Sequence, residues 1–170
     1  EVLSFVDGGI SIEWMKKAGA KVQNLLTKGS LNHLTHQLKK TPKQHFDEIA
    51  QIIALAKKNG IETNVYLEDW SNGMRNSPEY VFQYLDFLVT QPVKRILLPD
   101  TLGVLIPSQT FEFISKITAK YPNIHFDFHA HNDYDLSVAN VLEALKAGVK
   151  GLHVTVNGMG ERAGNAPLES

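Results

Sequence analysis

Two histidines separated by one residue, His129 and His131, are the clearest indication of chemistry in this sequence. They end a predicted β-strand, where alternate side chains share a face, so their Cα atoms should lie about 6.6 Å apart. Two imidazoles at that spacing can reach one metal ion, and imidazole suits transition metals. The alternative is a pair of polar side chains that binds no ion, because this short pattern is weak by itself.

A glycine-rich segment, 158–167, follows the next predicted strand and should bring Asn165 beside the histidines. Its three glycines permit positive φ angles and a close approach of the backbone. An amide oxygen can complete a metal site, so Asn165 is a candidate third ligand. The spacing fits neither a dinucleotide fingerprint nor a P-loop, and an ordinary connecting loop is the alternative.

Two further strand ends carry side chains suited to substrate binding. Glu68, which precedes a second acid, could accept a proton or hold a substrate, whereas a solvated loop carboxylate is the simpler interpretation. Thr101 could bond a ligand carboxylate, and Asp100 before it is expected to cap the following turn.

Apolar side chains are predicted to narrow the same site. Leu3, Leu26 and Tyr66 should point toward its mouth and leave room for a small ligand, or else simply pack inside the fold. The remaining histidines with no partner at ligand spacing are interpreted as surface or structural residues: His33, His36, His45 and His125.

These side chains are positioned by alternating strand and helix patterns. Strands are predicted at 2–6, 21–26, 63–67, 95–98, 124–128 and 152–156. Helices are predicted to begin at Pro42, Pro78 and Pro107, with apolar stripes such as Phe111, Ile114 and Thr118. Val138, Leu142 and Leu145 predict a further helix before Gly148, and 30–38 predicts an additional one. Repeated strand, loop and helix indicate a parallel α/β sheet.

The strand at 124–131 separates apolar from polar side chains. Ile124, Phe126, Phe128 and Ala130 share one face, and the alternate positions hold two further polar residues besides the histidine pair. A doubly wound sheet would bury apolar side chains on both faces, whereas a (β/α)8 TIM barrel turns polar residues inward at its mouth. The chain is therefore predicted to be a partial barrel of about six βα units. Its active site should lie at the C-terminal strand ends, which carry Asp7, Thr27, Glu68, Asp100, His131 and Asn157.

Composition excludes several functions. Seventeen basic against eighteen acidic residues give a net charge of −1, without the basic patch that nucleic-acid binding needs. The apolar runs are far shorter than the roughly 20 residues of a membrane span, and there is no secretory signal. Zero cysteines exclude disulfides and thiolate ligands. We expect a cytoplasmic protein with no membrane partner.

Three motifs together resemble those of acetyl-CoA-dependent 2-oxo-acid condensing enzymes, the family of 2-isopropylmalate, citramalate and homocitrate synthases. They are 100–103, 129–133 and 160–165, and the segment 64–73 looks closest to the citramalate synthases. The resemblance implies that His129 and His131 bind a divalent cation (Zn, Mn or Mg), with Asn165 as a further or outer ligand.

The same resemblance assigns the other site residues. Thr101 would hold the 2-oxo-acid carboxylate, Tyr66 and the catalytic candidate Glu68 would line the pocket, and Leu3 and Leu26 would form its apolar wall. The implied reaction is the condensation of acetyl-CoA with pyruvate or 2-oxoisovalerate in branched-chain amino acid biosynthesis. A homodimer is expected at full length.

Two departures from the family pattern concern the extent of the chain. The family's N-terminal Asp-Thr-Thr-Leu-Arg-Asp-Gly motif and its C-terminal catalytic His and Tyr are absent. We therefore expect 1–170 to be a partial TIM-barrel catalytic domain without its first two βα units and C-terminal regions. One alternative is a related aldol-type lyase of the hydroxymethylglutaryl-CoA kind, disfavoured because that enzyme uses a cysteine where this chain has 160–163. Another is a non-catalytic barrel that binds a metal or oxo acid.

Overall fold

The computed structural model describes all 170 residues and contains one parallel sheet with strand order β1-β2-β3-β4-β5-β6. The strands are β1 (Val2–Phe5), β2 (Val22–Lys28), β3 (Glu62–Glu68), β4 (Val93–Asp100), β5 (Phe126–Ala130) and β6 (Gly151–His153). The helices are α1 (Ile10–Ala18), α2 (Pro42–Lys58), α3 (Trp70–Asn76), α4 (Pro78–Leu88), α5 (Pro107–Lys120) and α6 (Ser137–Lys146). The additional helix predicted at 30–38 is present and contains a π-helical turn at His33–Gln37.

Local sequence explains where the longest helix begins and ends. Thr41 and Gln44 form a capping box at the start of α2, with Pro42 in the first turn, where its missing N–H costs nothing. Gly60, at φ 68°, takes the left-handed conformation just beyond the last turn. The predicted start and stop of this helix are confirmed.

The sheet curves so that its two faces differ in chemistry. Phe126, Phe128 and Ala130 are buried beneath the helices, while the alternate residues of β5 point to the inner, concave face. On that inner face Tyr66 of β3 contacts His153 of β6, although β4 and β5 lie between their strands in the sheet. This contact across the concave side is the geometry of a barrel interior rather than of a flat sheet.

The main apolar core fills the space between the outer face of the sheet and the helices. Its largest fully buried side chains are Trp70, Tyr84, Phe126 and Phe128. A smaller cluster joins α1 to α2 through Ile12, Met15, Ala56 and Ile61. None of the helices is both long and apolar enough to span a membrane.

The short helix α3 was not predicted, because its sequence is rich in poor helix formers. Gly73 lies inside it, and a Cβ there would come within 2.1 Å of the Gly29 carbonyl oxygen. The close contact between α3 and the end of β2 therefore requires glycine despite its low helix propensity. Burial of Trp70 anchors the helix in the core.

The inward stripes predicted for α5 and α6 are partly wrong. Phe111 of α5 is exposed, and Leu142 and Leu145 of α6 are 54% and 47% exposed. The buried face of α6 is one residue out of phase with the predicted stripe and includes Asn140, whose amide donates to the Leu105 carbonyl at 2.9 Å. The buried face of this helix therefore includes a polar side chain that is hydrogen-bonded to an irregular segment.

Candidate active site

An open cleft of about 470 Å³ lies at the C-terminal ends of the strands. All eight side chains predicted for the site line it: Leu3, Leu26, Tyr66, Glu68, Thr101, His129, His131 and Asn165. Pro99, Gly160 and Glu161 complete the lining. The structure therefore brings together residues that lie up to 162 positions apart in the chain.

The two cleft histidines face each other through their outer ring nitrogens. The Nε2 atoms of His129 and His131 are 3.3 Å apart, and the rings are nearly perpendicular. Burial and the neighbouring His131 and His153 lower the pKa of His129 to about 4. Burial and the charge of Arg162 also lower the pKa of His131. Both imidazoles are therefore neutral at pH 7, the form that ligates metals.

This pair fits two adjacent ligands of one cation. With metal–nitrogen bonds of about 2.1 Å, adjacent ligand nitrogens lie about 3.4 Å apart around a tetrahedral ion and about 3.0 Å apart around an octahedral ion, so the 3.3 Å separation is closer to the tetrahedral value. Both Nδ1 atoms are buried without a hydrogen-bond partner, and the two Nε2 atoms are the ring nitrogens that approach each other. No group of three or more His, Cys, Asp or Glu side chains is arranged to hold a metal. A cation would therefore need ligands beyond these two histidines.

Asn165 lies close enough to be one such ligand if its side-chain amide is rotated. Its amide nitrogen lies 3.4 Å from Nε2 of His129 and donates to the Ala130 carbonyl at 3.3 Å. Its amide oxygen points to Gly160, where a Cβ would come within 1.8 Å. Ligation by oxygen requires the side-chain amide to rotate by half a revolution, which would end its donation to the Ala130 carbonyl.

The glycine-rich loop is held beside the histidines by an arginine. Arg162 binds both carboxylate oxygens of Asp133 at 2.7 and 2.8 Å and donates to the Thr101 carbonyl at 2.8 Å. This two-pronged contact fixes the orientation of the guanidinium group. Three motifs that are distant in sequence are thereby joined around the cleft.

Thr101 presents a hydroxyl proton to the cleft. Its Oγ1 accepts the backbone N–H of Asp69 at 2.8 Å, so the hydroxyl hydrogen is left to donate elsewhere. Asp69 adopts φ 64° and is buried, with its carboxylate bound by Ser30 and Asn72. The backbone N–H of Asp69, just after β3, therefore fixes the position of the Thr101 side chain.

Glu68 is paired with a lysine that the sequence did not point to. Lys28 binds its Oε2 at 2.6 Å, and Nδ1 of His33 lies 3.8 Å from Oε1. His33, interpreted from sequence as a surface or structural residue, lines a neighbouring polar cavity of about 650 Å³. The π-helical segment that carries His33 has no spacing pattern that would have revealed this contact.

A second unpredicted group lies at the base of the cleft. The Tyr66 hydroxyl hydrogen-bonds Nδ1 of His153, and Nε2 of His153 lies 3.4 Å from Asp127. Arg95 and His125 also contact this buried carboxylate, at 3.2 and 2.8 Å. Burial raises the pKa of Asp127, but the hydrogen bond from His153 and the nearby cationic groups outweigh it and leave the pKa below its ordinary value. Burial and the charge of Asp127 raise the pKa of Tyr66.

Four residues predicted at the C-terminal strand ends do not line the cleft. Asp7 and Asp100 bind backbone amides of the turns that follow them, so the capping role expected for Asp100 is confirmed. Thr27 points outward and donates to the Tyr66 carbonyl. Asn157 lies in an exposed turn beyond β6, because that strand ends at His153 rather than at 156.

The chain is similar to several known proteins. The family model described as HMGL-like matches residues 10–170. A homocitrate synthase of Saccharolobus islandicus (strain L.S.2.15 / Lassen #1) is 40% identical over 144 residues, which cover 81% of this chain and 29% of the relative. A 2-isopropylmalate synthase of Prochlorococcus marinus (strain MIT 9211) is 37% identical over 140 residues, covering 81% and 26%. The chain thus spans less than a third of the length of these curated relatives.

Solved structures give the fold. Hydroxymethylglutaryl-CoA lyase from Pseudomonas aeruginosa superposes with a TM-score of 0.85 at 18% identity, over 98% of this chain and 59% of the lyase. The predicted partial TIM barrel is confirmed.

Proposed function

Because this chain belongs to the HMGL-like family, we propose that it forms part of an acyltransferase that condenses acetyl-CoA with a short 2-oxo acid. The observation that carries the proposal is one cleft in which a neutral histidine pair, a hydroxyl donor and an apolar wall converge. The names of the two synthases at 37% and 40% identity support the same reaction class.

The cleft offers a complementary group for each part of a 2-oxo acid. The Thr101 hydroxyl donates to the carboxylate, and the 2-oxo group is directed toward His129 and His131. Leu3 and Leu26 contact the alkyl side chain. Apolar walls with a few convergent polar groups are the usual composition of a small-molecule site.

A divalent cation, Zn, Mn or Mg, is the implied cofactor, and His129, His131 and Asn165 are the residues that would hold it. Such an ion would polarise the keto group and stabilise the negative charge that develops on its oxygen. The chain's own contribution is to keep both imidazoles neutral and to fix the approach of the carboxylate through Thr101.

The chemistry begins with removal of a proton from the methyl group of acetyl-CoA, the co-substrate. The resulting enolate attacks the keto carbon, and hydrolysis of the thioester releases CoA and a 2-hydroxy diacid. Glu68 is the candidate to handle the methyl proton or to orient the thioester. Its Oε2 is engaged by Lys28, so Oε1 is the oxygen available for either role.

Substrate size gives the finer assignment. Tyr66 and the two leucines narrow the cleft beside the histidines, which favours pyruvate over 2-oxoisovalerate and a citramalate synthase-type reaction. We assign this activity to branched-chain amino acid biosynthesis in the cytoplasm, by a homodimer of a longer enzyme in which 1–170 is a partial catalytic domain.

Calorimetric titration of the natural-length polypeptide that contains this chain with pyruvate and with 2-oxoisovalerate, with and without Mn²⁺, tests the proposal. We expect both acids to bind only with the cation, and pyruvate more tightly. Acetate and propionate, which lack the keto group, are matched controls and should bind at least about tenfold more weakly. Equal binding of oxo acids and plain acids would reject the assignment.

A further inference from the structure

A chain of three side chains joins the wall of the cleft to a buried carboxylate. Tyr66, on β3, bonds His153, on β6, and His153 in turn contacts Asp127, on β5. Asp127 is 1% exposed. The backbone of β6 lies so close to this carboxylate that position 151 has room only for glycine. A Cβ on Gly151 would come within 2.2 Å of Oδ1 of Asp127.

Nε2 of His153 lies 3.4 Å from Oδ2 of Asp127. Because a carboxylate only accepts and is negatively charged, its proximity favours the tautomer that carries the proton on Nε2. Nδ1 of His153 is then an acceptor, and the Tyr66 hydroxyl must donate to it. Asp127 therefore selects the tautomer of His153 that can hold Tyr66.

The Tyr66 ring is fixed at both ends by these contacts. Its backbone pairs in register with Leu26 and Leu97, and its hydroxyl is tied to His153. The rings of Tyr66, His129 and His153 pack edge to face, with centroids 5.6 to 6.0 Å apart. A shift of the Tyr66 ring would consequently change the width of the cleft next to His129.

We propose that His153, oriented by Asp127, is a positioning residue that fixes Tyr66 and thereby sets which 2-oxo acids fit beside the histidine pair. This inference rests on the proposed function. Without the bond to His153, the Tyr66 ring is free to rotate from the cleft, and a branched 2-oxo acid gains room. His153 itself does not line the cleft, so its effect passes through Tyr66.

The experiment compares dissociation constants of pyruvate and 2-oxoisovalerate for the natural-length polypeptide that contains this chain and for its variants, measured by calorimetry with saturating Mn²⁺. In His153→Leu, which has no acceptor, we expect the preference for pyruvate to fall about tenfold, the range that a methylene-sized change in a pocket produces. His153→Asn retains an acceptor near the position of Nδ1 and should restore the preference. His125→Leu is the matched control, because it also removes an imidazole from Asp127 but on the side away from Tyr66.

Tyr66→Phe keeps the test decisive if His153→Leu does not fold, since it removes the hydroxyl and preserves the ring. It should shift the preference in the same direction. An unchanged ratio in Tyr66→Phe or in folded His153→Leu would overturn the inference while leaving the proposed function intact. Failure of the unmodified protein to bind either acid would overturn both.

Imidazole ¹⁵N spectra give a readout that does not depend on substrate. We expect His153 to be in the Nε2–H form in the unmodified protein and to lose this single tautomer in Asp127→Asn. An Nδ1–H form in the unmodified protein would contradict the direction of the hydrogen bonds and overturn the inference.

Discussion

The Oγ1 atom of Thr101 accepts the backbone N–H of Asp69 at 2.8 Å, which ties the end of β4 to the end of β3. Because that oxygen is occupied as an acceptor, its hydrogen is available to a ligand carboxylate. The most specific contact assigned to a 2-oxo acid thus depends on a residue outside the cleft.

Replacement of Thr101 by Val should weaken the binding of pyruvate by about 10- to 150-fold. This is the loss expected from one hydrogen bond to a charged group, about 1.5–3 kcal/mol. Thr101→Ser retains the hydroxyl and should bind nearly as the unmodified protein does. Calorimetric titration of the three proteins measures the effect, and equal affinity in the Val variant would exclude this role for Thr101.

In the natural-length polypeptide that contains this chain, replacement of His129 by Ala should abolish tight Mn²⁺ or Zn²⁺ binding. Removal of a residue that only hydrogen-bonds to a metal ligand weakens metal affinity by about 10- to 100-fold. Removal of a ligand itself should therefore weaken the affinity by more than about 100-fold. His36→Ala, which removes an exposed imidazole outside the cleft, is the control. Unchanged cation affinity in His129→Ala would show that the histidine pair is only structural.

Leu26→Ala should move substrate preference toward 2-oxoisovalerate, because the cleft gains volume next to the alkyl group. The ratio of pyruvate to 2-oxoisovalerate affinity should change by about 1–3 kcal/mol in free energy. Leu145→Ala removes an exposed leucine on α6 and should leave the ratio unchanged. If Leu26→Ala also leaves it unchanged, Leu26 does not contact the substrate.

Acid should destabilise the fold through His45, which is 1% exposed and accepts the Lys28 backbone N–H through Nε2. Burial lowers its pKa to about 4. The unfolded chain binds a proton near pH 6.5 and the folded chain does not, so stability falls as pH decreases from 6.5 to 4. At 1.36 kcal/mol per pKa unit, protonation of His45 in the unfolded chain lowers the free energy of unfolding at pH 4 by about 3 kcal/mol.

Urea unfolding at pH 7 and pH 4.5 checks this dependence. His45→Gln keeps an acceptor but cannot titrate in this range, so its free energy of unfolding should change less with pH than that of the unmodified protein. His36→Gln, at an exposed position, should show no such difference. Identical pH dependence in all three proteins would rule out His45 as the source.

Strand alternation was sufficient to predict the histidine pair and the inward direction of Tyr66 and Glu68. His153 was assigned to a polar strand face, but its bond to Tyr66 spans 87 residues and depends on the curvature of the sheet. Lys28 lies on β2 and His33 in a π-helical turn, so no pattern within β3 indicates their contacts with Glu68. Local periodicity describes one strand at a time, whereas these contacts depend on how strands are arranged around the barrel.

The buried face of a helix is also incompletely predicted by hydrophobic periodicity. Two apolar stripes overlap on α6, and sequence favoured the one that contains Leu142 and Leu145. The structure buries the other, on which Asn140 donates to the Leu105 carbonyl in the loop before α5. A buried polar side chain with a distant partner cannot be identified from hydrophobic periodicity, which counts it as exposed.

The proposed condensation is most directly tested by measuring CoA release from acetyl-CoA in the natural-length polypeptide that contains this chain. With a divalent cation, release should depend on an added 2-oxo acid, be fastest with pyruvate and stop when EDTA removes the cation. No oxo-acid-dependent release, together with formation of acetyl-CoA from hydroxymethylglutaryl-CoA, would contradict the account and identify a lyase instead.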